Sequence, residues 1–170
     1  MTTRPALPSA CDGSGARAGA VAPALVRSWP IDAGTDVSCC GALTVRFARE
    51  AGLDEQAAWA LGIAASELAS NIVKFAGRGR LTLSRLTAPR PGVEVVAEDS
   101  GPGVPDAAIV FADGYSEGRF LAGDEDPRRL RGRGVGLGAV RRLTDDVQLQ
   151  NLVPSGLRVA ARRWARVPGR

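Results

Sequence analysis

Three short stretches carry residue types that could do chemistry together. In "SELASNIVKFAGRG", Glu67 and Asn71 stand four apart and Lys74 follows three later. Spacings of four and three share one side of a helix, so an acid, an amide and an ammonium would lie on one ridge. One reading is a solvated polar stripe, with glutamate and lysine bridged by Asn71. The other is a shared task. The Asn71 oxygen suits Mg²⁺, which takes hard oxygen ligands and keeps several waters. Glu67 could draw a proton from a hydroxyl or a water as general base.

The second stretch is "EDSGPG" at the end of a strand pattern. Gly101 and Gly103 would let backbone approach a flat ligand closely, and Asp99 could accept a hydrogen bond from an exocyclic amine. A plain strand-to-loop turn is the alternative. The third is "RGRGVGLGAVRRL", where Gly132, Gly134, Gly136 and Gly138 precede and open a helix. Free N–H groups at a helix start, aided by the helix dipole, make a phosphate site. Alternate glycines cost backbone entropy, and a purely structural reason for four of them is hard to supply. The pattern is neither a P-loop nor a Rossmann fingerprint. Arg128, Arg129, Arg131 and Arg133 lead into it and could screen phosphate charge.

Composition narrows the chemistry. There is no histidine in 170 residues. Ser-His-Asp and Cys-His catalysis, and the usual histidine metal sites, are therefore excluded. Carboxylates, an oxygen-held metal or backbone amides must do the work. Cys11, Cys39 and Cys40 make an odd set without CxxC spacing, against a disulfide framework or a zinc site; Cys39 and Cys40 read as buried small apolar residues. Net charge is +4, nearly all of the positive charge being arginine, and aromatics are 5%. Arginines not interleaved with stacking residues argue against nucleic acid. They fit an anionic small ligand or an acidic protein partner. No apolar run approaches the roughly 20 residues of a membrane helix. Residues 1–24, rich in Ala, Gly, Pro and Ser, read as a flexible extension rather than a secretory signal, which predicts a cytoplasmic protein with a domain over residues 25–165.

The elements that must position these stretches follow from periodicity. "LVRSWPI" reads as a strand near an edge, because of Pro30. "GTDVSCCGALTVRFAREAGL" reads as a helix capped by Thr35 or Asp36, with Val37, Leu43, Val45 and Phe47 on its apolar face and Gly52 at its end. A second helix runs from an Asp54 cap to about Phe75. Trp59, Leu61, Ile63, Ala64, Leu68, Ile72, Val73 and Phe75 make it apolar over much of its circumference, so it should be largely buried. "RLTLSRL" and "VEVVAED" form a hairpin through "PRPG". An irregular stretch runs from about Phe111 to Arg133, then the glycine-started helix. "VQLQNLV" and "GLRVAARRW" close the chain as a hairpin turned by Pro154, Ser155 and Gly156. Paired strands and bunched helices predict an α+β two-layer sandwich: a mixed, mainly antiparallel sheet with helices on one face.

Taken in order, ExxxN on a helix, DxGxG after a strand and a glycine-rich segment before a helix resemble the ATP-binding (Bergerat) fold of the gyrase, heat-shock-90, histidine-kinase and MutL (GHKL) superfamily. "SELASNIVKFAGRGRLTL", "VVAEDSGPGVPD", "DGYSEG" and "GRGVGLGAVRRL" resemble more narrowly the anti-sigma-factor serine/threonine kinases of the RsbT-like switch type, over about residues 25–163. The resemblance implies that Asn71 binds Mg²⁺ on the ATP phosphates and Glu67 is the base or orients the substrate hydroxyl. It implies that Asp99 bonds the adenine amine while Gly101 and Gly103 admit the base, and that Gly132, Gly134 and Gly136 wrap the phosphates. Gly138 and Lys74 complete the expected nucleotide site. Such kinases phosphorylate a STAS-domain antagonist in a partner-switching pathway, and RsbT-type members also bind a PP2C-type phosphatase. A homodimer is compatible with family habit. Two departures bear on turnover: "RFLAGDEDPRRLR" lengthens the link before the glycines, and Leu157 stands where the superfamily commonly has threonine, which implies weaker ATP binding. The alternative function is a nucleotide-binding regulator that docks on a sigma factor or phosphatase with little kinase activity.

Overall fold

Alternating strands and small-residue helix faces build the molecule. The computed structural model describes residues 25–32, 34–104, 115–116, 119–120 and 136–166. The expected extension over residues 1–24 and the glycines Gly132 and Gly134 lie outside these. Strand β1 (Val26–Ile31) is followed by helices α1 (Gly34–Glu50) and α2 (Glu55–Asn71), a π turn (Ile72–Ala76), and strands β2 (Gly79–Leu86) and β3 (Gly92–Asp99). Two-residue strands β4 (Tyr115–Ser116) and β5 (Arg119–Phe120) pair with each other. That short ladder lies where the sequence reads as wholly irregular. Helix α3 (Gly136–Leu143) and strands β6 (Asp146–Asn151) and β7 (Leu157–Trp164) follow.

The main sheet runs β1-β2-β3-β7-β6, and each of its pairings is antiparallel. Pro30 sits in β1, at the sheet edge. Leu25 accepts from Arg85 N–H, so odd-numbered residues of β1 bond β2 and the missing N–H of Pro30 faces outward, where no partner is required.

The inner sheet positions Leu81, Leu83, Val93, Val95, Ala97, Val159 and Ala161 join one core with Phe47, Leu61, Leu68, Ile72 and Val140 from the helical side. The outer face is polar. There Val96 pairs with Ala160, both buried, between the opposed pairs Glu94–Arg162 and Glu98–Arg158, each at 2.7 Å. Arg162 also reaches Asp146 at 2.6 Å. Directly opposed charges of this kind stabilise a sheet face.

Helix ends obey local chemistry. Gly52, at φ +94°, closes α1: Leu53 N–H donates to the Ala48 carbonyl and Gly52 N–H to that of Arg49. These are the two bonds of a Schellman motif. Asp54 caps α2 by accepting the Ala57 N–H at 2.7 Å. Asp36 lies inside the first turn of α1, not at its cap, and accepts the Asp32 N–H at 3.0 Å.

Several burial expectations fail for one reason. On α2 the buried face is Ala57, Ala58, Leu61, Gly62, Ala64, Ala65, Leu68 and Ala69. Trp59, Ile63 and Phe75 are about half exposed, and Leu43 of α1 is exposed as well. Helices α1 and α2 cross so closely that small residues must fill the contact. A Cβ on Gly62 would lie 2.5 Å from Val45 Cγ2 and 3.0 Å from the Gly41 carbonyl. Large side chains are turned to solvent, where Arg49 covers the Trp59 ring at 6.0 Å and Glu55 accepts its indole N–H. Cys40 is buried and receives the Trp29 indole N–H at 3.3 Å, while Cys39, expected to be buried, is exposed. Among the described residues no helix is long and apolar enough to cross a membrane.

Candidate functional site

The second helix delivers two polar side chains to one place. Glu67 and Asn71 are half-buried near the end of α2. Among the described residues neither carries a hydrogen bond or an ion pair. Both face the start of α3: a methyl added to Gly136 would lie 3.2 Å from Asn71 Oδ1, 3.4 Å from its Nδ2 and 3.5 Å from Glu67 Oε2. Any side chain at 136 would fill the gap between them. Helix α3 begins at Gly136, and the first-turn N–H groups of a helix have no intrahelical acceptor. Gly138 is buried in the same helix.

Lys74 does not complete the ridge as expected. It lies in the π turn and is exposed, with no ion pair among the described residues. The ridge was read at 3.6 residues per turn, and the i→i+5 winding after Asn71 departs from that period. The solvated stripe bridged by Asn71 is therefore not what forms.

Asp99 is set at the end of β3 by backbone. Its Oδ1 accepts the Gly101 N–H at 2.8 Å and the Leu157 N–H at 3.2 Å. No donor among the described residues reaches Oδ2, so that oxygen can still accept a hydrogen bond. The chain crowds Asp99 on both flanks. A Cβ on Gly79, its partner on β2, would lie 2.3 Å from the Glu98 carbonyl and 3.2 Å from Asp99 Cβ. A Cβ on Gly156, at φ +128°, would lie 2.3 Å from the Asp99 carbonyl. Gly101 abuts Ala76 at the end of the π turn, and Gly103, at φ +75°, abuts Asn151.

Sequence reasoning thus finds Asp99, Gly101 and Gly103 but misses Gly79, Gly156 and Asn151, which hold them. Gly79 and Gly156 read as turn residues. The available signal was register: Gly79 pairs with Asp99 across two strands whose alternation is clear.

These features match a known family. Residues 35–163 fit the histidine kinase-like ATPase domain. The chain belongs to that ATPase-domain family. This family member is 31% identical over 132 residues to the serine/threonine-protein kinase RsbT of Bacillus subtilis strain 168, covering 77% of this chain and 90% of the relative. A solved structure, full-length ShkA in complex with AMPPNP, is similar at TM-score 0.48 and 24% identity, over 84% of this chain and 32% of that one. The chain therefore spans about a third of that protein.

As an ATPase-domain member, the chain is expected to bind nucleotide, and its donor set can be tested against a metal. An amide oxygen beside a carboxylate, unpartnered among the described residues and close to the first residue of a helix, is hard-oxygen chemistry. Mg²⁺ tolerates so few protein ligands because phosphates and waters fill the remaining positions. The residues present fit the ion. Among the described residues no cluster of acidic, histidine or cysteine side chains offers an all-protein metal site.

Proposed function

We propose that the chain is an ATP- and Mg²⁺-dependent protein serine/threonine kinase of a partner-switching pathway, acting on a hydroxyl of a STAS-domain antagonist. The observation that carries this reading is the unpartnered Glu67 and Asn71 facing Gly136 across a gap that a single methyl would occupy. A half-buried acid and amide side by side, with no protein partner among the described residues, keep their oxygens open to a ligand. The relation to a serine/threonine-protein kinase at 31% identity supports the same reading.

The chain's residues would divide the work as follows. Asp99 accepts the adenine amine on Oδ2, while Gly101 and Gly103 leave room for the base. N–H groups at the start of α3, from Gly136 to Gly138, face the phosphates, with Gly132 and Gly134 expected to extend that cradle. Asn71 holds Mg²⁺, which when bound supplies charge neutralisation at the phosphate oxygens. Glu67 orients the substrate hydroxyl and takes its proton as the new O–P bond forms and ADP leaves with the old one. Positioning and charge neutralisation carry most of such a reaction, which suits a site without histidine. The ammonium of Lys74 has no assigned contact and would add only to the field.

Leu157 favours a second reading. Its side chain packs on the core and only its N–H reaches Asp99, so no hydroxyl at this position joins the base pocket. A nucleotide-binding regulator that docks on a sigma factor or a PP2C-type phosphatase would need no fast turnover.

One paired experiment decides. ATP is titrated with and without Mg²⁺ on wild type and Asn71→Ala, and γ-labelled phosphate transfer to a STAS-domain protein is followed for wild type and Glu67→Ala. The kinase reading expects Mg²⁺-dependent binding that Asn71→Ala abolishes, and transfer that Glu67→Ala reduces about 100-fold or more, as for loss of a general base, with binding retained. Binding without transfer in wild type selects the regulator. No ATP binding at all removes both.

A further inference from the structure

The loop after Asp99 is gripped from outside the site by one side chain. Asn151 Oδ1 accepts the Val104 N–H at 2.9 Å, and its Nδ2 donates to the Val104 carbonyl at 2.8 Å. One carboxamide thus satisfies both backbone groups of one residue, as a neighbouring strand would. The approach is close, since a Cβ on Gly103 would lie 2.5 Å from Asn151 Oδ1. Asn151 is the last residue of β6, and the hairpin that follows returns the Leu157 N–H to Asp99. A single hairpin therefore holds this stretch at two points: Leu157 at Asp99, Asn151 at Val104. The grip is exposed to water, so the fold does not depend on it as it depends on the core.

We propose that Asn151 is a positioning residue that sets the Gly101–Gly103 backbone for the flat base of a nucleotide. The proposal rests on the nucleotide reading above. It assigns Asn151 an effect on base binding and none on the phosphates.

The test uses the full chain. Hydrogen exchange of ligand-free Asn151→Ala is compared with wild type, and both are titrated with ATP and with inorganic tripolyphosphate, which has no base. Loss of the amide should speed Val104 exchange and weaken ATP about tenfold, the worth of one ordinary hydrogen bond. Tripolyphosphate affinity and the thermal midpoint should hold. Asn151→Asp keeps an acceptor for the Val104 N–H but sets a carboxylate oxygen against the Val104 carbonyl, so it should not restore ATP affinity. Unchanged Val104 exchange, or wild-type ATP affinity in Asn151→Ala, overturns the proposal. So does an equal loss for ATP and tripolyphosphate, which would mark a general structural defect. If wild type binds no ATP, this inference falls with the function it rests on; if ATP binding depends on Asn71 but not on Asn151, it falls alone.

Discussion

At the residue scale the informative contrast is between groups tied to protein and groups left open. Asp99 spends one carboxylate oxygen on two backbone N–H donors and keeps the other. Asp99→Asn can preserve both backbone bonds but turns an NH₂ toward the open side. An amine-bearing base then meets a donor instead of an acceptor, which costs about 1–3 kcal/mol when unsatisfied. ATP affinity should fall about 10- to 100-fold on that account, with melting behaviour unchanged, and a titration beside a thermal melt measures both. Cys40 makes a different case. Burial, above all, pushes its thiol pKa up, with the Trp29 hydrogen bond opposing. A raised folded value means the neutral thiol's contribution is complete below the ordinary thiol pKa and is lost as pH rises through the raised one. Stability should therefore decline on the alkaline side, and denaturant midpoints across that range should decline less in Cys40→Ala. Both residues were visible in the sequence, Asp99 through its glycine neighbours. That Cys40 is buried and Cys39 exposed could not be read, because adjacent residues on a helix differ only by where the helix is rotated.

At the element scale, strands were more legible than helix faces. Alternation in "RLTLSRL" and "VEVVAED" gives the hairpin and its inner residues directly. Helix α2 misled for a physical reason: it is apolar nearly all round, and hydrophobicity alone then points nowhere. What decides its rotation is steric. Gly41 and Gly62 permit the α1 crossing, and a tryptophan could not occupy it. Gly62→Ala should cost about 1–3 kcal/mol through overpacking, read as a lower denaturation midpoint. Because Glu67 and Asn71 ride the same helix, nucleotide affinity should fall with it. The π turn was equally hidden, since one wider turn leaves no compositional mark. It ends the ridge at Asn71 and leaves Lys74 outside.

At the scale of the whole molecule, one layer of helices covers one face of a five-stranded sheet. Order along the chain made that architecture legible, because hairpins and bunched helices leave few other arrangements. The convergence of α2, the β3 end and the α3 start was legible only through resemblance, since no local rule joins segments so far apart. The helix-free side of the sheet was expected, since the helices were placed on one face, but what covers it was not. Its centre is Val96 against Ala160, flanked by the arginine arms of Arg158 and Arg162. Those arms act as a roof over an otherwise greasy seam. Stripping both in an Arg158→Ser, Arg162→Ser variant would bare the seam on the outer face of the sheet. The outcome to watch is stickiness: such a variant should scatter light and elute early from a sizing column at concentrations where the parent chain stays dispersed.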